Sequence, residues 1–218
     1  MAKQYTDSRM VVFAREPLLG SVNTRLITAL GEERALALYE AMLSRTVNQA
    51  QLSDLAEVDL WVSSNISHQF FLNICNKKNI FLQYGKDLGL KMANAIEKTF
   101  QLPSIKSVVL IGTDCPAMTS EYIESAFAAL KAGSDVVLGP ATDGGYVLIG
   151  VGKVIPKLFE GIQWGGDRVL AATIDKIRSQ NLKCQLLDML WDVDCPEDLV
   201  RLDELEPPLA LMNQLGPA

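Results

Sequence analysis

Four short segments of this 218-residue chain hold residue types that could do chemistry, and the chemistry they suggest is the handling of a metal-held phosphate. Residues 15–26, REPLLGSVNTRL, combine an irregular turn at Pro17 and Gly20 with the guanidinium groups of Arg15 and Arg25 and the Thr24 hydroxyl. Such a loop can turn backbone N–H groups toward an anion, and arginines can fork onto phosphate oxygens. The GK[ST] of a Walker A loop and a GxGxxG run are both absent. An ordinary strand-to-helix connection with two solvated arginines fits the same letters.

Residues 112–116, GTDCP, follow the apolar run VVLIG, so Asp114 falls just beyond a buried strand, at the sheet rim. A lone Asp there is commonly a cap or turn residue. Facing a phosphate, it would repel the group unless a divalent cation stood between them. Mg²⁺ typically takes one or two carboxylates plus substrate phosphates. Residues 139–146, GPATDGGY, read as a hairpin turn at Asp143-Gly144-Gly145. The two glycines would also let a ligand lie against bare backbone. Residues 191–198, WDVDCPED, put Asp192 and Asp194 two apart, on one side if the chain is a strand. Asp194 suits a helix N-cap, with Pro196 in the first turn and Glu197 and Asp198 favoured by the helix dipole. That capping role leaves Asp192 unexplained. Arginines on one loop and carboxylates on three others together describe a metal–phosphate site.

These segments need a frame that sets strand ends side by side, and the periodicity supplies one. Strands are expected at 10–14, 58–63, 80–84, 108–112, 135–138, 146–151 and 184–190. Helices are expected at 32–50, 69–77, 88–100, 120–131, 156–162, 168–180 and 196–205. The first of them carries a core stripe of Leu36, Tyr39, Leu43 and Val47 at three- and four-residue spacing. The alternation predicts a single α/β domain over residues 1–206, a Rossmann-like mainly parallel sheet with helices on both faces. Two strands close together around Asp143 predict one local departure from parallel order. In open sheets of this kind, ligands bind outside the carboxyl ends of the strands, where all four segments fall. Residues 207–218, with Pro207 and Pro208, are expected as a loosely packed tail.

Composition removes other classes. With 49% apolar and 21% charged residues the chain can bury a core. No window approaches eighteen consecutive apolar residues, so no membrane span is expected. The polar start MAKQYTDSRM lacks the apolar run of a signal peptide, which points to the cytoplasm. A net charge of −6 without a basic cluster argues against nucleic acid as a partner. The acid is concentrated: residues 186–206 hold eight carboxylates against Arg201, and the rest is almost neutral. Four cysteines (Cys75, Cys115, Cys184, Cys195) show neither CxxC nor zinc spacing, and are expected as inert thiols. His68 is the one histidine, expected in mid-helix without a partner, which disfavours a Ser–His or Cys–His pair. Trp164-Gly165-Gly166-Asp167 is expected to begin a helix near the site, with Trp164 either packed at a domain edge or stacked on an acceptor.

The segments FAREPLLGSVNTRL, GTDCP, GPATDGGYVLIG and WDVDCPEDL, in this order and spacing, resemble the nucleotide-diphospho-sugar transferase superfamily of GT-A fold. Within it the chain is most similar to the small bacterial glycosyltransferases called rSAM/selenodomain-associated transferases, which have been linked to arsenosugar biosynthesis. The resemblance covers roughly residues 8–205. More distantly the chain is similar to guanylyltransferases of molybdenum-cofactor and phospholactate metabolism.

The resemblance implies that Arg15, Gly20, Thr24 and Arg25 hold the nucleotide phosphates and that Asp114 binds Mg²⁺ or Mn²⁺ at the diphosphate. It implies that Asp143, Gly144 and Gly145 face the sugar or acceptor, and that Asp194 is a second metal contact. The family pattern has lysine where Arg15 and Asn23 stand, and threonine where Cys195 stands. Arg15 keeps the charge; Asn23 loses one. The implied activity is a metal-dependent glycosyltransferase, taking a nucleotide-diphosphate sugar and a small-molecule acceptor, with Asp143 orienting or deprotonating the acceptor hydroxyl. The alternatives are a nucleotidyltransferase, which joins a nucleoside triphosphate to a phosphorylated or carboxylated acceptor and releases pyrophosphate, and a binding domain without turnover.

Overall fold

The apolar run at 10–14 extends back to Ser8, and the resulting strand β1 (Ser8–Ala14) is buried except at Arg9. A strand hidden on both faces belongs in the middle of a helix-covered sheet. The computed structural model, which describes residues 3–209, places it there. The elements that follow are α1 (Ile27–Leu30), α2 (Glu32–Leu52), β2 (Glu57–Val62), α3 (Gln69–Ile74), β3 (Ile80–Leu82), α4 (Leu88–Phe100) and β4 (Ser107–Ile111). Then come α5 (Ser120–Lys131), β5 (Val136–Pro140), β6 (Tyr146–Val151), α6 (Val169–Ser179) and β7 (Cys184–Leu186), with a 3₁₀ helix at Pro196–Glu204.

The seven strands form one sheet in the order β3-β2-β1-β4-β6-β5-β7, giving a single-domain α/β fold. Only β6 runs against its neighbours, pairing antiparallel with both β4 and β5, as the close spacing around Asp143 requires. Alternate residues of β1 feed opposite cores. Met10, Val12 and Ala14 pack with Tyr39, Leu43 and Val47 of α2 and Ile123 and Phe127 of α5. Val11 and Phe13 pack with Met92 and Ile96 of α4 and Ile177 of α6. A third cluster lies outside the sheet layers: Leu38 and Met42, on the far side of α2, meet Leu26, Val193, Leu202, Leu205 and Leu209. Helix α2 is therefore sandwiched between the sheet and the chain's last described segment.

Several elements differ from expectation, each for a local reason. Residues 156–162 form turns rather than a helix, and Gly161, at φ +70°, ends the stretch. The strand expected at 184–190 stops at Leu186; Leu187 N still donates to Leu138 O, and the chain returns to the sheet where Leu190 bridges to Ala141 and donates to Pro140 O. Its partner β5 ends in Pro140, which has no N–H to give, and its register slips between Gly139 and Pro140. The helix expected at 196–205 is 3₁₀ and ends at Glu204. The helix expected at 69–77 ends at Ile74, followed by a separate 3₁₀ turn at Lys77–Asn79. His68 sits at the N-cap of α3, not in mid-helix, where its Nδ1 accepts from Phe70 N and its ring tilts against Phe71. The chain after Glu206 stays packed as far as the buried Leu209, since Arg45 donates to the carbonyls of Glu206 and Pro207. The remaining tail lies outside the described residues.

Candidate functional site at the carboxyl ends of the strands

β1 has β2 on one side and β4 on the other, so the chain leaves its carboxyl end toward one edge and returns toward the opposite edge. This is a topological switch point, where pairing with β4 stops at Val12↔Ile111 and β1 runs on to Ala14. Arg15 follows the first strand and Asp114 follows the second.

The loop after β1 is held by α2 at three positions. The Tyr39 phenol accepts from Arg15 N at 2.7 Å and donates to Arg15 O at 2.9 Å. Gly20 takes φ +72° with its bare Cα facing Glu32, and a Cβ there would stand 3.4 Å from the carboxylate. Asn23 takes the left-handed conformation (φ +47°), and its amide donates to Ala35 O at 3.2 Å. Asn tolerates that conformation better than lysine would, so the missing charge at Asn23 comes with a local backbone role. On the other side, Glu16 N donates to Ser63 Oγ, and the Glu16 carboxylate accepts from Ser64 and Asn65, which lowers its pKa. The helix expected near Thr24 is a 3₁₀ turn (Thr24–Leu26) followed by the four-residue α1, and Thr24 and Arg25 are exposed.

The second loop opens at Gly112. A Cβ on it would lie 2.8 Å from Asp114 Oδ1, so the glycine makes room for that carboxylate to fold back over the strand end. Arg45 of α2 holds the following carbonyl, Pro116 O, at 3.0 Å. In the third loop, Asp143 Oδ1 accepts from Gly145 N at 2.7 Å, which leaves Oδ2 open on an exposed side chain. Gly144, with φ +89°, approaches this chain's own backbone. A Cβ there would collide with Asp167 O, and Gly144 O accepts from Leu170 N in the first turn of α6.

The fourth loop joins the second through Val193 N, which donates to Asp114 O at 2.8 Å. Val193 is buried in the third cluster, which turns the flanking Asp192 and Asp194 toward the rim. Asp194 pairs with Arg25 of the first loop. Its expected N-cap role belongs to Cys195, whose N–H, like that of Asp194, donates to Asp198 Oδ2. Asp198 and Glu197 raise the Cys195 thiol to about 11.

The carboxylates of these loops act on one another electrostatically. Asp192 is pushed up to about 7 by burial, then by Asp143 and Asp114. Asp114 is raised by burial, then by Asp143 and Asp194, with a backbone hydrogen bond and Arg15 opposing. Among the described residues no three acidic, thiol or imidazole groups converge tightly enough to encircle an ion. The rim supplies hard oxygen donors with excess negative charge, suited to Mg²⁺ or Mn²⁺ completed by ligand oxygens.

The expected residues thus meet in part. Arg15, Arg25, Asp114, Asp143 and Asp194 belong to loops joined by direct contacts or by mutual electrostatics. Trp164 packs over Gly89, edge-on to Tyr146 at 6.5 Å, and lines a cleft of about 370 Å³ with Leu90, Phe159 and Ile162. Asp192 and Tyr39 are additions. The unexplained Asp192 was the signal for the first. A phenol within an aliphatic stripe, which needs a partner once buried, was the signal for the second.

No curated protein matches the chain. Among solved structures, a Desulfovibrio desulfuricans protein provisionally named a nucleotide-diphospho-sugar transferase is 32% identical, with TM-score 0.83 over 90% of this chain and 86% of its own. A 4-diphosphocytidyl-2C-methyl-D-erythritol synthase from Anaerococcus prevotii shares the fold at 14% identity and TM-score 0.58, over 89% and 93%. Mycobacterium tuberculosis Rv0371c in complex with manganese does so at 16% and 0.57, over 91% and 99%. The family model DUF2064, described as an uncharacterized protein conserved in bacteria, matches residues 46–166. That match runs over more than half of the chain, from within α2 to the glycines beside Trp164, and makes this protein a member of the DUF2064 family.

Proposed function

We propose that this protein is a metal-dependent glycosyltransferase of the rSAM/selenodomain-associated branch, which moves a sugar from a nucleotide-diphosphate donor to a small-molecule acceptor. The observation that carries the reading is the joining of an arginine-bearing loop to two carboxylate-bearing loops at the switch point, through Arg25–Asp194 and Val193–Asp114, with the Asp143 carboxylate in electrostatic reach of both. The donor name of the Desulfovibrio desulfuricans relative supports it.

In this reading Arg15 and Arg25 bind the diphosphate, with Gly20 and Thr24 shaping the same loop. Asp114 and Asp194 would hold the divalent ion. The ion, when bound, supplies positive charge beside the leaving diphosphate. Arg25 then turns from Asp194 to a phosphate oxygen. Gly144 and Gly145 shape the Asp143 loop on the acceptor side, with Trp164 at its border. Asp143 offers its open Oδ2 to the acceptor hydroxyl. The acceptor oxygen bonds to the sugar's anomeric carbon as the bond to the diphosphate breaks, and the hydroxyl proton passes to Asp143.

The test is thermal unfolding with UDP, GDP, CDP, their common sugars and four nucleoside triphosphates, each with Mn²⁺ or with chelator. Stabilisation by one diphosphate and its sugars, dependent on metal and lost in Asp114→Asn, is expected; saturation at 100 times Kd contributes about 2.7 kcal/mol. Stabilisation confined to a triphosphate would move the assignment to nucleotidyl transfer. No response to any of them overturns both. An Asp143→Asn enzyme that keeps most of its kcat removes Asp143 from the proton transfer.

A further inference from the structure

Beyond Ala14 the chain leaves the ladder that satisfies its backbone. On the β2 side the last bonds reach Ala14 O and Glu16 N. On the β4 side the pairing ends at Val12↔Ile111, and Gly112 N turns away to Val147 O. Arg15 would therefore carry an unpaired N–H and an unpaired carbonyl at the edge of the core, and groups left so are destabilising. One side chain satisfies both. The Tyr39 hydroxyl accepts from the N–H and donates to the carbonyl, so the phenol stands where a neighbouring strand would.

Tyr39 is itself held rigidly. Its residue is 6% exposed, its ring lies in the core between β1 and α2, and the Thr113 side chain adjoins its hydroxyl. Thr113 is the buried residue before Asp114. The phenol thus touches the first residue of the arginine loop and the residue beside the metal-loop carboxylate. Burial makes it a neutral donor and acceptor at any ordinary pH, with its pKa pushed up to about 12. A phenylalanine would fill the same core space but could hold neither backbone group.

We infer that Tyr39 is a positioning residue: its phenol fixes the Arg15 main chain, and through it the guanidinium, relative to the loop that carries Asp114. The inference rests on the reading of this rim as a diphosphate site. Tyr39 acts through Arg15 and contacts no substrate.

Calorimetric titration of the full chain with inorganic pyrophosphate and Mg²⁺ tests it, using wild type, Tyr39→Phe, Arg15→Ala and the double variant. Tyr39→Phe is expected to weaken binding about tenfold, the size of one to two hydrogen bonds lost. In the Arg15→Ala background the same change is expected to alter binding by less than about twofold, the non-additivity of a pair that works as a unit. A merely structural tyrosine would lower affinity equally in both backgrounds, and that result overturns the inference. So does a Tyr39→Phe protein that binds within twofold of wild type. Wild type that binds no pyrophosphate overturns the diphosphate reading itself, and the inference with it. If Tyr39→Phe does not fold, amide hydrogen exchange at Arg15 in wild type decides. Protection like that of Phe13 is expected; exchange at the rate of Leu18 and Leu19 overturns the proposal.

Discussion

Arg25 and Asp194 lie 169 positions apart and meet side chain to side chain across the rim. The pair is exposed, at 67% and 50% of the two side chains, so its contribution to stability is small, about 0–1 kcal/mol. Its interest is functional, because it joins a cation of the first loop to a candidate metal ligand.

Arg25→Gln should therefore separate two affinities. Freed of its partner, Asp194 is expected to favour Mn²⁺ alone more than in wild type, while binding of a nucleoside diphosphate with Mn²⁺ weakens by about tenfold, one charge-assisted contact. Electron paramagnetic resonance of free Mn²⁺, with and without nucleotide, measures both. Parallel changes in the two would show that Arg25 does not compete with metal for Asp194.

Asn23→Lys introduces the charge that the resemblance implies at this position. It also removes the amide bond to Ala35 O and places lysine at φ +47°. Denaturant unfolding is expected to show a loss of about 1 kcal/mol for the left-handed backbone, alongside tighter diphosphate binding. An Asn23→Lys protein more stable than wild type would contradict the backbone role given to Asn23.

Gly144→Ala should be severe. The new methyl would collide with the carbonyl oxygen of Asp167 at a positive φ, so the loop before α6 has to move. Urea denaturation is expected to show a loss of about 2 kcal/mol or more. Gly166→Ala, with open space at its Cβ, is the matched control and should change little.

A pH dependence follows from Asp59, buried on β2 and raised from 3.8 to about 6 by burial, with Arg9 opposing and Glu57 adding to the rise. The folded state holds this proton more tightly than the unfolded chain. The stability it contributes is complete below about pH 4 and is lost as pH rises through 6. Melting curves of wild type and Asp59→Asn should therefore diverge over that window, with the variant gaining relative to wild type as pH rises. A constant difference from pH 4 to 7 would reject the shift.

Much of the frame was legible because burial on both faces writes itself into a sequence as unbroken apolar runs. α4 and α5 fall on their expected residues, where Asp87 and Thr119 cap them. The reversed β6 followed from the short span around Asp143. What escaped depends on partners remote in sequence. The strand after Cys184 ends because Pro140, on the neighbouring strand, gives no N–H. Tyr39 looked like core because its ring is core; only its hydroxyl, against a backbone 24 residues away, shows the other role. Asp192 stood out in the sequence, but its nearness to Asp114 and Asp143 required the fold.

The third cluster has a consequence for how the protein is made. The segment that covers α2 and carries Asp192 and Asp194 leaves the ribosome after every strand of the sheet. The arginine loop emerges first and waits for its partner through most of synthesis. A nascent chain with a finished sheet therefore holds three of the four rim loops, and under the proposed function nucleotide with metal would find a complete site only after the final wrap. Fusions that shield this late segment should silence the protein while leaving its sheet intact.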